Sequence, residues 1–174
     1  MNKRLQIATV MSCFVLLFFP GCAPSPEELV KRAEQAKQRG DYMTAERLFR
    51  RAAIHGDVQA QSSLGQLLNG ELGLELARQK SVKWFTIAAN NGDAVAQYNL
   101  GMMYENGEGV GCDHLQAYIW VSLAAIRGNQ DAKRECDAMK QKLSPNDLAT
   151  VQEFIKRWSP KAMDVKKVLH AKPL

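Results

Sequence analysis

The chain has 174 residues, 46% hydrophobic and 24% charged, with 12 Gly and 6 Pro, the composition of a globular protein with no room for a second large catalytic domain. Its formal charge of +5 is unevenly placed: residues 1–21 carry Lys3 and Arg4 and no acid, residues 159–174 carry Lys161, Lys166, Lys167 and Lys172 against Asp164, and residues 22–158 hold 17 Lys/Arg and 17 Asp/Glu. A neutral body argues against nucleic acid as a partner, since phosphate neutralisation needs cations gathered on one face.

Met1 to Arg4 form a short positive start, and Leu5 to Phe19 an apolar run interrupted by Gln6, Thr9 and Ser12. This is the pattern of a secretory segment, too short for a comfortable membrane span. The following Phe19-Pro20-Gly21-Cys22-Ala23 resembles a bacterial lipoprotein signal; Gly21 and Cys22 match it, while Phe19 and Pro20 depart from the usual leucine and small residue. Residues 1–21 are thus expected to be removed and Cys22 to receive lipid such as palmitate, with residues 22–25 a linker. Acyl chains would hold the protein at a membrane without a spanning helix, and Ala23 in the second position resembles outer-membrane sorting. Ordinary cleavage with release into the periplasm and an uncleaved anchor are the competing outcomes.

Residues 26–56 read as a tetratricopeptide-like hairpin: Ser25-Pro26-Glu27-Glu28 has the form of a capping box, and Gly40-Asp41-Tyr42 breaks the two helices apart. From there a 36-residue repeat governs the chain. Gly56, Gly92 and Gly128 stand 36 apart, as do Leu48, Trp84 and Trp120, and Leu64-Gly65 aligns with Leu100-Gly101. Each unit predicts two helices, and the second is the clearest. Asp93 caps a helix bearing Ala96, Leu100, Met103 and Tyr104; Asp113 caps one bearing Ala117, Trp120, Val121 and Ala124, which Gly128 ends. The repeating glycines suit left-handed helix ends, while Gly65 and Gly101 suit close helix approach.

Ala96-Gln97-Tyr98-Asn99-Leu100-Gly101-Met102-Met103-Tyr104, Gly107-Glu108-Gly109-Val110, Asp113, Ala117, Trp120 and Ala124-Ala125-Ile126-Arg127-Gly128 resemble the Sel-one-like repeat, a relative of the tetratricopeptide repeat. The resemblance implies an all-α fold, a right-handed solenoid of antiparallel hairpins. Units fall at 57–92 and 93–128, with a degenerate unit and capping helix at 129–158, where Ser144-Pro145 opens a helix with Leu148, Val151, Phe154, Ile155 and Trp158 on one face. Eight helices in four hairpins are expected, followed by a disordered basic tail at 159–174. Trp84, Trp120 and Trp158 are assigned to the core.

No catalytic constellation is visible. His55, His114 and His170 lie far apart, and neither a metal signature nor a phosphate loop is present, so no cofactor, metal or catalytic residue is expected. Cys112 and Cys136 are the thiols left for a disulfide. Antiparallel packing, however, sets Cys112 opposite a position nearer 142, about 9 Å of helix away, and both bonded and free states stay open.

Stacked hairpins leave a concave side lined by first helices. Once the core positions are removed, that side offers Gln59, Ser62 and Gln66 from one unit, Val95, Tyr98, Asn99 and Met102 from the next, and Arg134 from the last. Tyr98 and Met102 suit anchoring of a peptide, unless both pack between hairpins. The expected function is a non-enzymatic adaptor of the bacterial envelope, an outer-membrane lipoprotein facing the periplasm that binds a segment of another envelope protein. The alternative, carried by resemblance to secreted family members, is a peptidoglycan- or penicillin-binding protein with weak β-lactamase-like activity. It would need a nucleophile, for which Ser62 and Ser63 are the candidates. Those members staple their hairpins with cysteine pairs that this chain lacks. Self-association is a third expectation.

Overall fold

Asp and Ser residues before each apolar run set the helix starts. In the structure, a computed structural model that describes residues 23–70 and 75–170, Ser25 accepts from Glu28 N ahead of α1 (Pro26–Gln38), and Asp41 from Thr44 N ahead of α2 (Tyr42–Ile54). Asp57 caps α3 (Val58–Asn69) and Asp93 caps α5 (Ala94–Asn106), each accepting from the backbone three residues on; α4 spans Glu75–Asn90 between them. Asp113 caps α6 (His114–Ile126) and Asn129 caps α7 (Gln130–Lys140). Ser144 and Asp147 form a reciprocal capping box at α8 (Pro145–Arg157), and α9 is the short helix Val165–His170. At Ser25 the box is only half made, because the Glu28 carboxylate takes Arg32 Nε at 2.8 Å instead. The signal segment, Cys22 and residues 171–174 lie outside the described residues.

The described chain is all-helical. Helices α1/α2, α3/α4 and α5/α6 pair as hairpins, each packing on the next through α2/α3, α4/α5 and α6/α7. The first helices α3 and α5 also touch directly, so they share one side of the stack; the side of the first helices α1, α3, α5 and α7 is called inner, that of the second helices α2, α4 and α6 outer. Gly56, Gly92 and Gly128 have φ of 89°, 92° and 94°, so each ends its hairpin in the left-handed conformation.

Close approach explains the other glycine pair. A Cβ on Gly65 would stand 2.7 Å from the Phe85 ring, and one on Gly101 would stand 2.6 Å from Val121 Cγ2 and 2.9 Å from Ala117 O. Three apolar clusters follow the repeats: Phe49, Leu64, Trp84 and Ile87 in the first, Phe85, Leu100, Met103 and Trp120 in the second, Val121, Ala132 and Met139 in the third. Trp84 and Trp120 are core as expected; Trp158 is half-buried at the edge of the second cluster.

The C-terminal part departs from expectation twice. Helix α8 does not pair with α7 as a fourth hairpin but crosses to α6, where Val151 is buried in the second cluster with Ile119, Trp120 and Leu123. The apolar residues Ala132 and Met139 of α7 are already taken by the cluster shared with α6, and Lys133, Asp137 and Lys140 are exposed. Residues 159–170, expected to be disordered, run back across the outer side. Lys161 N donates to Asn90 O at 2.8 Å, Met163, Val165, Val168 and Leu169 pack on the first cluster, and Lys83 Nζ donates to Leu169 O at 3.3 Å. Six residues form a helix here through these tertiary contacts, since an isolated helix of that length is unstable.

Candidate partner-binding surface

Helix α5 supplies the centre of the inner side. Val95 is 42% exposed, and Tyr98, Asn99 and Met102 are half-buried. Tyr98 packs on the third cluster between α5 and α7, so its ring is fixed by packing while part of it still meets solvent. Burial raises its phenol pKa, and the neighbouring Glu135 and Asp131 carboxylates add to the rise, so Tyr98 presents a protonated hydroxyl. Asn99 Nδ2 donates to Val95 O at 2.8 Å within its own helix.

On α3, Gln59 and Gln66 are exposed, and Gln59 Nε2 approaches Ser63 Oγ at 3.4 Å. Ser62 does not belong to the accessible set. It is 2% exposed, and its hydroxyl donates to Asp93 Oδ1 at 3.1 Å, tying α3 to the cap of α5. Ser63 is buried too and reaches Glu34 Oε1 of α1 at 3.5 Å. Both serines therefore face neighbouring repeats, because the turn of α3 that carries them is covered by its neighbours on both sides. A hydroxyl sealed from solvent cannot meet a substrate, which leaves a hydrolytic site on this face without its candidate nucleophiles. Arg134 on α7 is exposed and ion-paired with Asp131.

The far edge of the surface was not foreseen. Glu105, at the end of α5, holds Lys142 on one carboxylate oxygen and His114 Nδ1 on the other at 2.9 Å. Burial works against this carboxylate, but the hydrogen bonds from Lys142 and His114 outweigh it and hold its pKa below the ordinary value; the same pair raises that of Lys142. Cys112 Sγ donates to Glu105 O at 3.4 Å, which sets Cys112 beside Lys142, the neighbourhood that antiparallel packing implies. Cys112 and Cys136 are free thiols. Cys136 lies midway along α7, hydrogen-bonded to Ser122, and burial pushes its thiol up.

Two buried glutamines were also missed, although both recur at the 36-residue spacing. Gln61 Nε2 donates to Ala53 O at 3.2 Å and Gln97 Nε2 to Ala89 O at 3.0 Å, each joining a first helix to the end of the preceding hairpin. They are structural staples that hold the inner helices in register. Among the described residues no group of three or more His, Cys, Asp or Glu is placed to hold a metal, and no helix is long and apolar enough to cross a membrane.

These features define a class: an α-solenoid of helical hairpins, at a coarse level a protein-interaction fold. The sequence matches the Sel1 repeat over residues 35–57, 58–93 and 94–129, and the chain belongs to the Sel1 repeat family. The first match covers much of the hairpin that resembles a tetratricopeptide unit. Among solved structures it is similar to a protective antigen present in uropathogenic Escherichia coli strains that displays an SLR fold (25% identity, TM-score 0.70, covering 85% of this chain). It spans 33% of that protein's chain. It is also similar to a Sel1 repeat protein from Oxalobacter formigenes, at 32% identity and TM-score 0.57, covering 65% of this chain and 88% of the other. No curated protein matches it. Sel1 repeat proteins are in general non-catalytic scaffolds.

Proposed function

We propose that this protein is a non-enzymatic adaptor of the bacterial envelope, lipidated at Cys22 and held at the outer membrane facing the periplasm, which binds a segment of another envelope protein along its inner helices. The observation that carries the binding reading is the centre of α5: Tyr98 is clamped by packing yet partly exposed, with Val95, Asn99 and Met102 beside it. A rigid aromatic anchor beside an adaptable methionine gives contact area at low entropic cost. Helices α1, α3, α5 and α7 carry six Lys/Arg and seven Asp/Glu, so the inner side has no strong field and favours an apolar or hydrogen-bonding segment over a highly charged one.

The test of binding is affinity purification from membranes with wild type and a Tyr98→Ala/Met102→Ala variant. The reading expects an envelope protein that accompanies wild type and is depleted at least tenfold from the variant. An unchanged set of companions contradicts it. Lipidation is tested separately by palmitate labelling, which should disappear in Cys22→Ser; labelling that persists, or is absent from wild type, removes that part of the proposal.

A further inference from the structure

The zero net charge of residues 22–158 conceals a segregation that appears only once the chain is folded. Helix α2, helix α4 and residues 159–170 each carry three Lys/Arg and one Asp/Glu, nine cations against three acids. The fold brings the three together: α9 packs on α4, and its apolar residues join the cluster that also contains Leu48 of α2. Arg47, Arg51, Lys80, Lys161 and Lys167 are exposed. The remaining outer helices add nothing to this charge, since α6 has no Asp, Glu, Lys or Arg and α8 has two of each sign. One side of the N-terminal half is therefore basic, whereas the inner helices are close to neutral.

The same layer exposes two large apolar side chains, Met43 at 70% and Leu76 at 64%, at the starts of α2 and α4. Both helices start at the same end of the hairpins, so the basic face carries an apolar rim. Cations with long aliphatic stems beside exposed apolar residues are the combination that settles at a phospholipid interface.

We propose that the outer layer formed by α2, α4 and residues 159–170 docks on an anionic phospholipid surface, turning the inner helices toward the aqueous space. Each basic residue close to such a surface strengthens attachment by about fivefold, and the attraction fades beyond a Debye length of about 8–10 Å. Which membrane the face meets rests on the envelope reading above. On that reading the tether is short: three residues separate Cys22 from the start of α1, which allows about 13 Å of extended chain. Lipid on Cys22 and a basic face would then act together, as stable anchoring by two signals requires.

The experiment is vesicle co-sedimentation of the chain starting at Ala23, which contains every described contact and carries no lipid, so its outcome does not depend on Cys22. Vesicles of phosphatidylcholine alone are compared with vesicles containing about one third phosphatidylglycerol. Wild type should prefer the anionic vesicles at least tenfold and lose that preference in 500 mM salt, which shortens the Debye length by about half. The triple variant Arg47→Glu/Lys80→Glu/Lys167→Glu should bind at least tenfold more weakly. Lys31→Glu/Lys133→Glu/Lys140→Glu, with the same net charge but changes on the inner helices, should stay within about threefold of wild type. Should the first variant unfold, the salt response of wild type and the single change Lys167→Glu carry the comparison. Absence of wild-type binding to anionic vesicles overturns the proposal and leaves the basic layer to an acidic protein; equal losses in the two triple variants overturn it as well, since net charge alone would then account for binding.

Discussion

Gln61 and Gln97 hold the same place in successive repeats, yet their bonds differ. Gln61 donates to Ala53 O and accepts from Asn91 Nδ2 at 3.0 Å, whereas Gln97 Oε1 is buried with no partner. Arg127 stands where Asn91 stands in the preceding unit, but its guanidinium lies over the Trp158 ring, 4.7 Å from the centroid. Gln61→Leu should therefore cost about 1 kcal/mol more than Gln97→Leu, because only the second change also removes an unsatisfied buried acceptor. Urea unfolding of the two variants checks this; equal midpoints would contradict it.

Glu105 gives a pH prediction whose sign follows from its environment. Its folded-state pKa lies below the ordinary 4.5, so its stabilising effect is complete above the unfolded value and is lost as pH falls through the folded one. Lys142 and His114 are half exposed, which limits the effect to about 1 kcal/mol. Glu105→Gln should lower stability at pH 7 by that amount and converge on wild type as pH falls through the lowered folded-state pKa. A constant gap across the acid range would contradict this.

At the scale of elements, the approach of α5 to α6 depends on Gly101. Gly101→Ala pushes a Cβ against Val121 and the Ala117 carbonyl, backbone that cannot swing aside, and should destabilise by about 1–3 kcal/mol in urea unfolding. The C-terminal segment should respond differently. Pro160 sits against Gly92, where a Cβ would be 3.2 Å from Pro160 Cγ, and Trp158 is held by Arg127. Trp158→Ala should loosen this crossing, so that trypsin cuts after Lys161 and Lys167 several-fold faster while the hairpins stay resistant. Unchanged cleavage would show that α9 holds without the Trp158 crossing.

The hairpins were legible because caps, glycines and apolar positions repeat every 36 residues, and agreement at Gly56, Gly92 and Gly128 fixes the register. The path of α8 was not, because Leu148, Val151 and Ile155 announce an amphipathic helix without naming the face it covers. Residues 163–169 were misread because six helical residues carry too little periodicity to show. Tyr98 and Met102 were picked out by subtraction from the repeat, and the structure leaves both half-buried on α5. Ser62 was not separable from its exposed neighbours, since its burial depends on Asp93 of the next unit. Glu105 escaped because its partner Lys142 lies beyond the matched repeats.

For the molecule as a whole, the proposed function requires the inner side of this Sel1 repeat solenoid, at the middle of α5, to receive a segment of another protein. The most direct measurement is in-cell photocrosslinking from a probe at Met102, with a control probe at Asn146 on α8, and mass spectrometry of the adducts. Met102 is half-buried on α5; Asn146 is exposed in the first turn of α8. One envelope protein should be captured from Met102 and be absent from Asn146, with capture lost in Tyr98→Ala. Capture of glycan, of a second copy of this chain, or of nothing from Met102 would contradict it.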